Sequence, residues 1–239
     1  MLKIEIHCLL HNEILMLPYF VRHYKQFASR IVFYESNSTD GSPEIAELLG
    51  CEVVKVEEND NKVDENIFCR IKNNCWKDSK ADWAITSDMD ELVYHPDIVG
   101  FLKKTDATVI QPREFYMYSW EFPETDGQIY DVVKHGTIGQ AGYGKMNLFR
   151  PSEVNEMNYN AGCHSCAPEG NIKLLTTQEV KTLHFHFTGY QKMVNRNRYI
   201  ASRLSDINKQ KGWGVHHTWS EEKVRKDFEE AMKKLVKVL

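Results

Sequence analysis

Hydrophobic and polar positions follow two different periods along the first 112 residues. Short apolar runs of the kind found in strands occupy residues 4–10, 31–34, 53–56, 83–86 and 108–110. Apolar residues at three- and four-residue spacing, which indicate helices, occur in residues 14–27, 42–49 and 63–80. Strands separated by helices favour right-handed crossovers. We therefore predict an α/β fold in which helices flank a mostly parallel sheet.

The pattern changes after residue 112. Residues 113–182 are rich in aromatic side chains and glycine without a clean helical period, which predicts a loop-rich region. Residues 190–209 are expected to form a basic helix. A final helix is expected after Ser220, with an apolar face made by Val224, Phe228, Met232 and Leu235. These features divide the chain into residues 1–112 and residues 113–239, which we expect to form one continuous domain.

Composition and charge narrow the class of protein. The chain has 239 residues, of which 42% are hydrophobic and 27% charged, as in ordinary folded proteins. A net charge of −4 argues against a nucleic-acid partner, because proteins that bind the phosphate backbone are usually basic. The chain has six cysteines and no run of 18 apolar residues, and its first residues alternate like a strand and not like a signal peptide. These features predict a cytoplasmic protein with reduced thiols.

Polar clusters follow three of the predicted strands, at residues 11–13, 35–41 and 88–91. In a parallel sheet the carboxyl ends of the strands meet at one edge, where ligands bind, so we expect the three clusters to form one site. Asp88 and Asp90 follow a buried strand two positions apart. Paired carboxylates suit Mg²⁺ or Mn²⁺, which prefer oxygen ligands.

Taken together, these motifs resemble family 2-type glycosyltransferases of the Rossmann-like GT-A fold, in the branch whose metal motif is D-x-D-E. The matching phrases are Asn12-Glu13, then E-S-N-S-T-D-G-S from Glu35 to Ser42, then D-W-A-I-T-S-D-M-D-E from Asp82 to Glu91. The match spans residues 3–112, and a looser match continues through residues 145–150 and 184–186. The resemblance implies a nucleoside-diphosphate-sugar donor, a Mn²⁺ or Mg²⁺ cofactor, and transfer of a hexosyl group. It also implies a glycan or lipid-linked acceptor, in surface polysaccharide or glycoconjugate synthesis.

The resemblance also implies roles for individual residues. Asp90 would ligate the metal, and Asp88 would assist it or face the ribose. Glu35 stands where the family commonly has Asp, and this longer side chain leaves the type of nucleotide open. The residues expected to contact the donor are Asn12, Glu13, Glu35, Asn37, Asp40, Lys72 and Asp88.

Two histidines are further candidate metal ligands. Residues 181–187 alternate like a strand, so His184 and His186 should share one face while Phe185 and Phe187 enter the core. A neutral imidazole is a good ligand for Mn²⁺. We predict that at least one of the two imidazoles faces Asp90 across a gap large enough for a metal ion.

The general base on the acceptor side stays open among several residues. The candidates are Glu114, Glu121, Glu124, Asp131, His164 and Glu169. We select Glu121 because its aromatic neighbours, Trp120 and Phe122, are able to stack on a sugar ring.

Other functions are open to the same sequence. A sugar nucleotidyltransferase would share the fold, but His11-Asn12-Glu13 is not the Gly- and Arg-rich loop that it needs after the first strand. A phosphatase of the haloacid-dehalogenase type would place its acid pair after the first strand rather than the fourth. A non-catalytic carbohydrate-binding protein on a decayed transferase fold is the third alternative.

The C-terminal segments suggest two surfaces. Residues 192–211 carry six basic side chains against a single acid, Asp206, and Lys233, Lys234 and Lys237 lie near the end of the last helix. We expect both segments to pack on the domain with their charges in water. The alternative is a peripheral contact with anionic lipid at the inner membrane face.

Overall fold

The protein is described by a computed structural model that covers residues 1–56 and 62–239, with only the backbone described at residues 140 and 141. The strands are β1 (Ile4–Leu10), β2 (Arg30–Glu35), β3 (Glu52–Lys55), β4 (Trp83–Ser87), β5 (Glu91–Tyr94), β6 (Val109–Met117), β7 (His135–Tyr143), β8 (Leu148–Phe149), β9 (Val154–Glu156), β10 (Glu169–Gly170), β11 (Leu174–His184) and β12 (Val236–Lys237). The helices are α1 (Leu17–Tyr24), α2 (Ser42–Leu48), α3 (Glu65–Asn74), α4 (Ile98–Lys104), α5 (Ile129–Val132), α6 (Tyr190–Arg203), α7 (Asp206–Lys211) and α8 (Glu221–Met232).

The first half of the sheet is parallel, in the order β3-β2-β1-β4. Ile6 at the centre of β1 lies opposite Ile31 on β2 and Ile85 on β4, and all five residues of β4 are buried. Apolar side chains on both faces explain why these strands appear in the sequence as continuous hydrophobic runs. The α/β fold with helices flanking the sheet is confirmed.

The second half of the sheet is mixed, and it corrects one expectation. Strands β8, β6, β7 and β12 extend the order with antiparallel pairs, while β11 runs parallel to β6 and antiparallel to β5. The prediction of a loop-rich region over residues 113–182 is therefore wrong, because β7 to β10 and most of β11 lie there. A shift of register between Thr177 and Lys181 interrupts the pairing of β11 with β6. Such an irregularity breaks the two-residue period that would reveal the strand.

The predicted helices lie where the periodicity places them but are shorter. Helix α1 covers eight residues and α3 covers ten. Gly41 is the N-cap of α2 with φ of 84°, and Asp40 Oδ1 accepts a hydrogen bond of 2.9 Å from the Ser42 amide. Gly50 has φ of 71° just past the end of α2, a left-handed conformation that is common at helix ends.

The last helix packs against the domain. Phe228 on α8 is buried with Tyr118 and with Met193 of α6. Val224, Met232 and Leu235 lie in the same cluster, as the periodicity predicted. Among the described residues, no helix has both the length and the apolar character needed to cross a bilayer.

We predict that the stability of the protein falls between about pH 6.5 and pH 5 because of His23. Its Nε2 lies 2.9 Å from the Val93 carbonyl, and burial lowers the pKa of the imidazole from 6.5 to about 4. In this interval His23 binds a proton in the unfolded chain but not in the native state, so stability rises with pH. At about 1.4 kcal/mol per pH unit, the loss over 1.5 units is about 2 kcal/mol. His23→Gln should reduce the slope of unfolding free energy against pH, measured by denaturant titration.

His135→Gln is the matched control, because His135 is exposed on β7 and its ring stays in water in both states. Equal slopes in wild type and His23→Gln would show that His23 is not the group responsible.

Candidate active site

The loops after β1 and β2 are hydrogen-bonded to each other at the carboxyl edge of the sheet. Asn12 Oδ1 accepts a bond of 2.7 Å from the Thr39 amide, and the Glu13 amide donates to Ser42 Oγ at 3.0 Å. Asn12 and Asn37 both have φ of 51°, a left-handed conformation that asparagine tolerates better than most residues. The two polar clusters therefore meet, as the parallel topology predicted.

Two predicted donor-binding acids make hydrogen bonds in these loops: Glu35 within the loop after β2, and Asp40 between the two loops. Glu35 is buried, and its Oε1 accepts a bond of 2.5 Å from the Ser38 amide. Asp40 accepts from the amides of Ser42 and Ile14 at 2.9 and 3.0 Å. Burial alone would raise the pKa of Asp40, but its hydrogen bonds outweigh that effect and the pKa is lowered. Both acids thus have structural partners, and contact with a donor remains a prediction for each.

Asp90, His184 and His186 form a compact group of possible metal ligands. Oδ1 of Asp90 lies 3.7 Å from His184 Nε2, and Oδ2 lies 3.7 Å from His186 Nδ1. All three side chains are at least five-sixths buried. Both imidazoles therefore face Asp90, although the strand is shorter than predicted. Strand β11 ends at His184, and Phe185–Phe187 form a 3₁₀ turn.

Charges around this group shift two pKa values in opposite directions. Burial would raise the pKa of Asp90, but the two imidazoles hold it well below its usual range. Burial would lower the pKa of His184, yet Asp90, with Glu114 and Glu91 behind the ring, raises it to about 10. The carboxylates around His184 thus favour its protonated form, and a metal ion bound at Nε2 would take the place of that proton.

Asp88 has different neighbours from Asp90. Its two oxygens accept hydrogen bonds from the ammonium groups of Lys72 on α3 and Lys145 before β8. Burial would raise the pKa of Asp88, but the Lys145 and Lys72 charges hold it far below its usual range. Lys72 therefore meets a carboxylate here, and Asp88 is not part of the group around Asp90. The contacts predicted for Lys72 and Asp88 with a bound donor stay predictions.

A second group of acids lies behind His184. Glu91 and Glu114 place one oxygen each at 3.8 and 3.7 Å from His184 Nδ1, and Lys145 Nζ lies 2.8 Å from Glu91. A Cβ atom at Gly139 would lie 2.4 Å from the Glu114 carboxylate, so this position needs glycine. Sequence analysis assigned Glu91 no role beyond its place in the D-x-D-E motif, and it named Glu114 only as a candidate base. No local signal places either residue beside His184, because β11 brings β5 and β6 to this histidine.

Helix α6 corrects the expectation for the basic segment. Lys192 and Arg196, expected to have their charges in water, are turned toward the site, and Arg196 donates a hydrogen bond to the Glu13 carboxylate. Helical spacing marks this pair, since residues four apart share a face. Glu121 differs: it is exposed, and its carboxylate has no hydrogen bond or ion pair within the described residues.

Comparisons with known proteins identify no family for this chain. No family model matches it, and no curated protein matches it. One similar solved structure is glucosyl-3-phosphoglycerate synthase from Mycobacterium tuberculosis in complex with Mn²⁺, uridine diphosphate and glucosyl-3-phosphoglycerate. It is 18% identical, with a TM-score of 0.35, over 48% of this chain and 44% of that chain. The structure of the same enzyme with Mg²⁺ and uridine diphosphate is 18% identical, with a TM-score of 0.35, over 48% of this chain and 43% of that chain.

A further solved structure, described as a mycobacterial protein, is 16% identical, with a TM-score of 0.36, over 48% of this chain and 41% of that chain. The chain thus matches less than half the length of each of these structures.

We predict that Asp88 and Asp90 differ in their contribution to stability. Asp88→Asn leaves the buried Lys72 ammonium without its carboxylate and leaves Lys145 with Glu91 alone. Because the Asp88 side chain is 34% exposed, we expect a loss of about 2 kcal/mol, below the 3–5 kcal/mol typical of a fully buried pair. Asp90→Asn should cost less than about 1 kcal/mol, since His184 keeps Glu91 and Glu114. Denaturant unfolding at pH 7.5 measures both variants, and equal losses would contradict the distinction.

Proposed function

We propose that this protein is a metal-dependent glycosyltransferase. It moves a sugar from a nucleoside-diphosphate-sugar donor to a glycan or lipid-linked acceptor, in surface polysaccharide or glycoconjugate synthesis. The observation that carries the proposal is the group of Asp90, His184 and His186 at the carboxyl edge of a parallel sheet. The three motifs that resemble family 2-type glycosyltransferases support it from the sequence.

The residues present fit Mn²⁺ or Mg²⁺. One carboxylate and two imidazoles, with His184 Nε2 and His186 Nδ1 both directed at Asp90, form a donor set that suits Mn²⁺ and leaves other positions to a ligand. Such a metal supplies Lewis-acid stabilisation of the charge that develops on a departing diphosphate. Glu91 and Glu114 lie 3.8 and 3.7 Å from His184 Nδ1 and would orient the imidazole from behind by electrostatic attraction to a proton on that nitrogen.

Donor binding is assigned to the loops after β1 and β2 and to the lysine pair around Asp88. The hydrogen bonds between Asn12 and Thr39 and between Glu13 and Ser42 fix the loop backbone before a ligand arrives. Asn37 and Glu35 lie in the same loop and would face the base or ribose. Lys72 and Lys145 place two ammonium groups beside Asp88, where phosphate oxygens would be attracted.

Glu121 is our candidate for the general base toward the acceptor hydroxyl. Its loop runs beside the metal-ligand candidates, because Ser119 pairs with Thr188, two residues after His186. The neighbouring Trp120 side chain is 43% exposed and would offer a face for a sugar ring. An exposed carboxylate beside an exposed aromatic ring suits an acceptor that enters from solvent.

A peripheral contact with lipid at the inner face of the membrane is the location we propose for a lipid-linked acceptor. The apolar face of α8 is used inside the protein, so this contact would be electrostatic. Lys209 and Lys211 on α7 are exposed and would attract anionic headgroups at about 1 kcal/mol each.

We predict that Asp90→Asn abolishes metal-dependent release of nucleoside diphosphate. Wild-type protein should gain thermal stability from one class among UDP-, GDP- and CMP-sugars, and more strongly with Mn²⁺. Asp90→Asn should lower the release rate more than about 100-fold, since partners outside the ligand shell alone cost about 10–100-fold. Asp106→Asn, at an acid whose side chain is 94% exposed, is the matched control and should keep the wild-type rate.

The outcomes separate this activity from the alternatives. Full activity in Asp90→Asn would contradict the proposal. Sugar binding without release of nucleoside diphosphate would favour the carbohydrate-binding alternative, and release of pyrophosphate from a nucleoside triphosphate would favour the nucleotidyltransferase. Because two histidines and one carboxylate also hold Fe²⁺ in oxygenases, dioxygen consumption with Fe²⁺ should be measured and is expected to be absent.

We predict that the protein floats with anionic vesicles at low salt and that Lys209→Glu with Lys211→Glu weakens this binding. Reversing two charges near the surface replaces attraction by repulsion. Flotation with phosphatidylglycerol vesicles measures binding to an anionic lipid, and flotation with phosphatidylcholine vesicles measures binding to a lipid without net charge. Equal recovery of the protein with both kinds of vesicle, or no recovery with either, would contradict the proposed electrostatic contact.

A further inference from the structure

One face of helix α6 lies over the loops that carry the candidate active site. Lys192, Arg196 and Tyr199 are four and three residues apart and so share a face. The Tyr199 hydroxyl lies 2.8 Å from His11 Nε2 and 2.9 Å from Asn12 Nδ2, and Arg196 reaches the Glu13 carboxylate. This face therefore lies above the loop that follows β1.

Lys192 has an unusual position on this face. Its ammonium nitrogen is buried and has no hydrogen-bond partner within the described residues. Its nearest ring is Phe122, whose centroid lies 5.0 Å away. Burial lowers the pKa of Lys192, and the Asp90 carboxylate offsets part of that effect. The other two buried lysines of the site, Lys72 and Lys145, both have carboxylate partners.

An unpaired buried ammonium group is costly, because it has lost its water without gaining a counter-charge. Asp90 compensates for it only in part, since its two oxygens already face His184 and His186. A divalent cation at Asp90 would add two further positive charges close to Lys192. The repulsion between these charges is relieved by an anion that contacts both of them, and a diphosphate has the charge and the length to do so.

Arg196 adds a second cation one turn along α6. Its side chain is about a quarter exposed, and its Nε is buried without a hydrogen-bond partner. Burial lowers the pKa of the guanidinium to about 10. One edge of the group reaches Glu13, which leaves the Nε hydrogen for another acceptor. A planar guanidinium is well suited to phosphate oxygens.

We infer that Lys192, assisted by Arg196, forms an anion site on α6 that binds phosphate groups of the ligand held at Asp90. The inference rests on the proposed function where it identifies those groups with the diphosphate of a sugar-nucleotide donor. A phosphorylated acceptor would present the same chemistry, and the experiment distinguishes the two sources. Helix α6 is then a part of the donor site and not only a packing element behind it.

The test compares Lys192→Met with Lys103→Met by thermal unfolding and by calorimetry. Methionine keeps much of the lysine volume and removes the charge. Without ligand, Lys192→Met should melt at the wild-type temperature or higher, because an unpaired buried charge is removed. With Mg²⁺ present, its affinity for pyrophosphate and for the nucleoside diphosphate that stabilises wild type should fall at least about 10-fold. Lys103→Met, at an exposed position on α4, should match wild type in both measurements.

Lys192→Arg separates charge from shape and should recover part of the anion affinity. A melting temperature below wild type together with unchanged anion affinity would show a packing role and overturn the inference. So would a wild-type protein that binds neither pyrophosphate, inorganic phosphate nor a nucleoside diphosphate.

Loss of pyrophosphate binding in Lys192→Met, in a protein that binds no nucleoside diphosphate, would support the anion site while contradicting the proposed donor. Loss of inorganic phosphate binding alone, with nucleoside diphosphate binding retained, would support the anion site and assign it to a phosphorylated acceptor.

Discussion

The arrangement of this protein depends on compensating several carboxylates that are buried at one edge of its sheet. Asp90, Glu91 and Glu114 are each at most 4% exposed, and Asp88 lies beside them. Buried acids must be paired with positive charges, because an unpaired buried charge loses more hydration free energy than its other interactions restore. The chain supplies the opposite charges from distant positions: Lys72, Lys145 and His184.

The origin of these cations explains much of the topology. Lys72 comes from α3, Lys145 from the segment before β8, and His184 from the end of β11. Strand β11 lies between β5 and β6, so its last residue stands between Asp90 on one side and Glu91 and Glu114 on the other. Lys72, Glu91, Glu114 and His184 lie on strands or a helix, and Asp88, Asp90 and Lys145 lie in short segments next to strands. A site built in this way has its geometry before any ligand binds.

The same charges divide two acids that look alike in the sequence. Asp88 and Asp90 are two residues apart after one strand, yet the first faces two ammonium groups and the second faces two imidazoles. The lysines fix Asp88, whereas the imidazoles leave Asp90 among nitrogen atoms able to ligate a metal. Helix α6 adds Lys192, whose ammonium has no such carboxylate partner among the described residues. The site thus combines paired charges that stabilise the fold with charges whose partner is a ligand.

The amino-acid sequence by itself determined the features that depend on neighbours along the chain. Apolar runs placed β1 to β4, periodicity placed α1 to α3 and α8, and the polar clusters after strands placed Asn12, Glu13 and Asp90 at one edge. Tertiary structure alone decided the rest. The strands between residues 113 and 182, the partners of Asp88 and the inward face of α6 all depend on groups tens of residues apart. The hydrophobic period indicates which side of an element is buried. It does not indicate which distant charged group will contact that element, because those contacts form only when the strands pair and the helices pack on them.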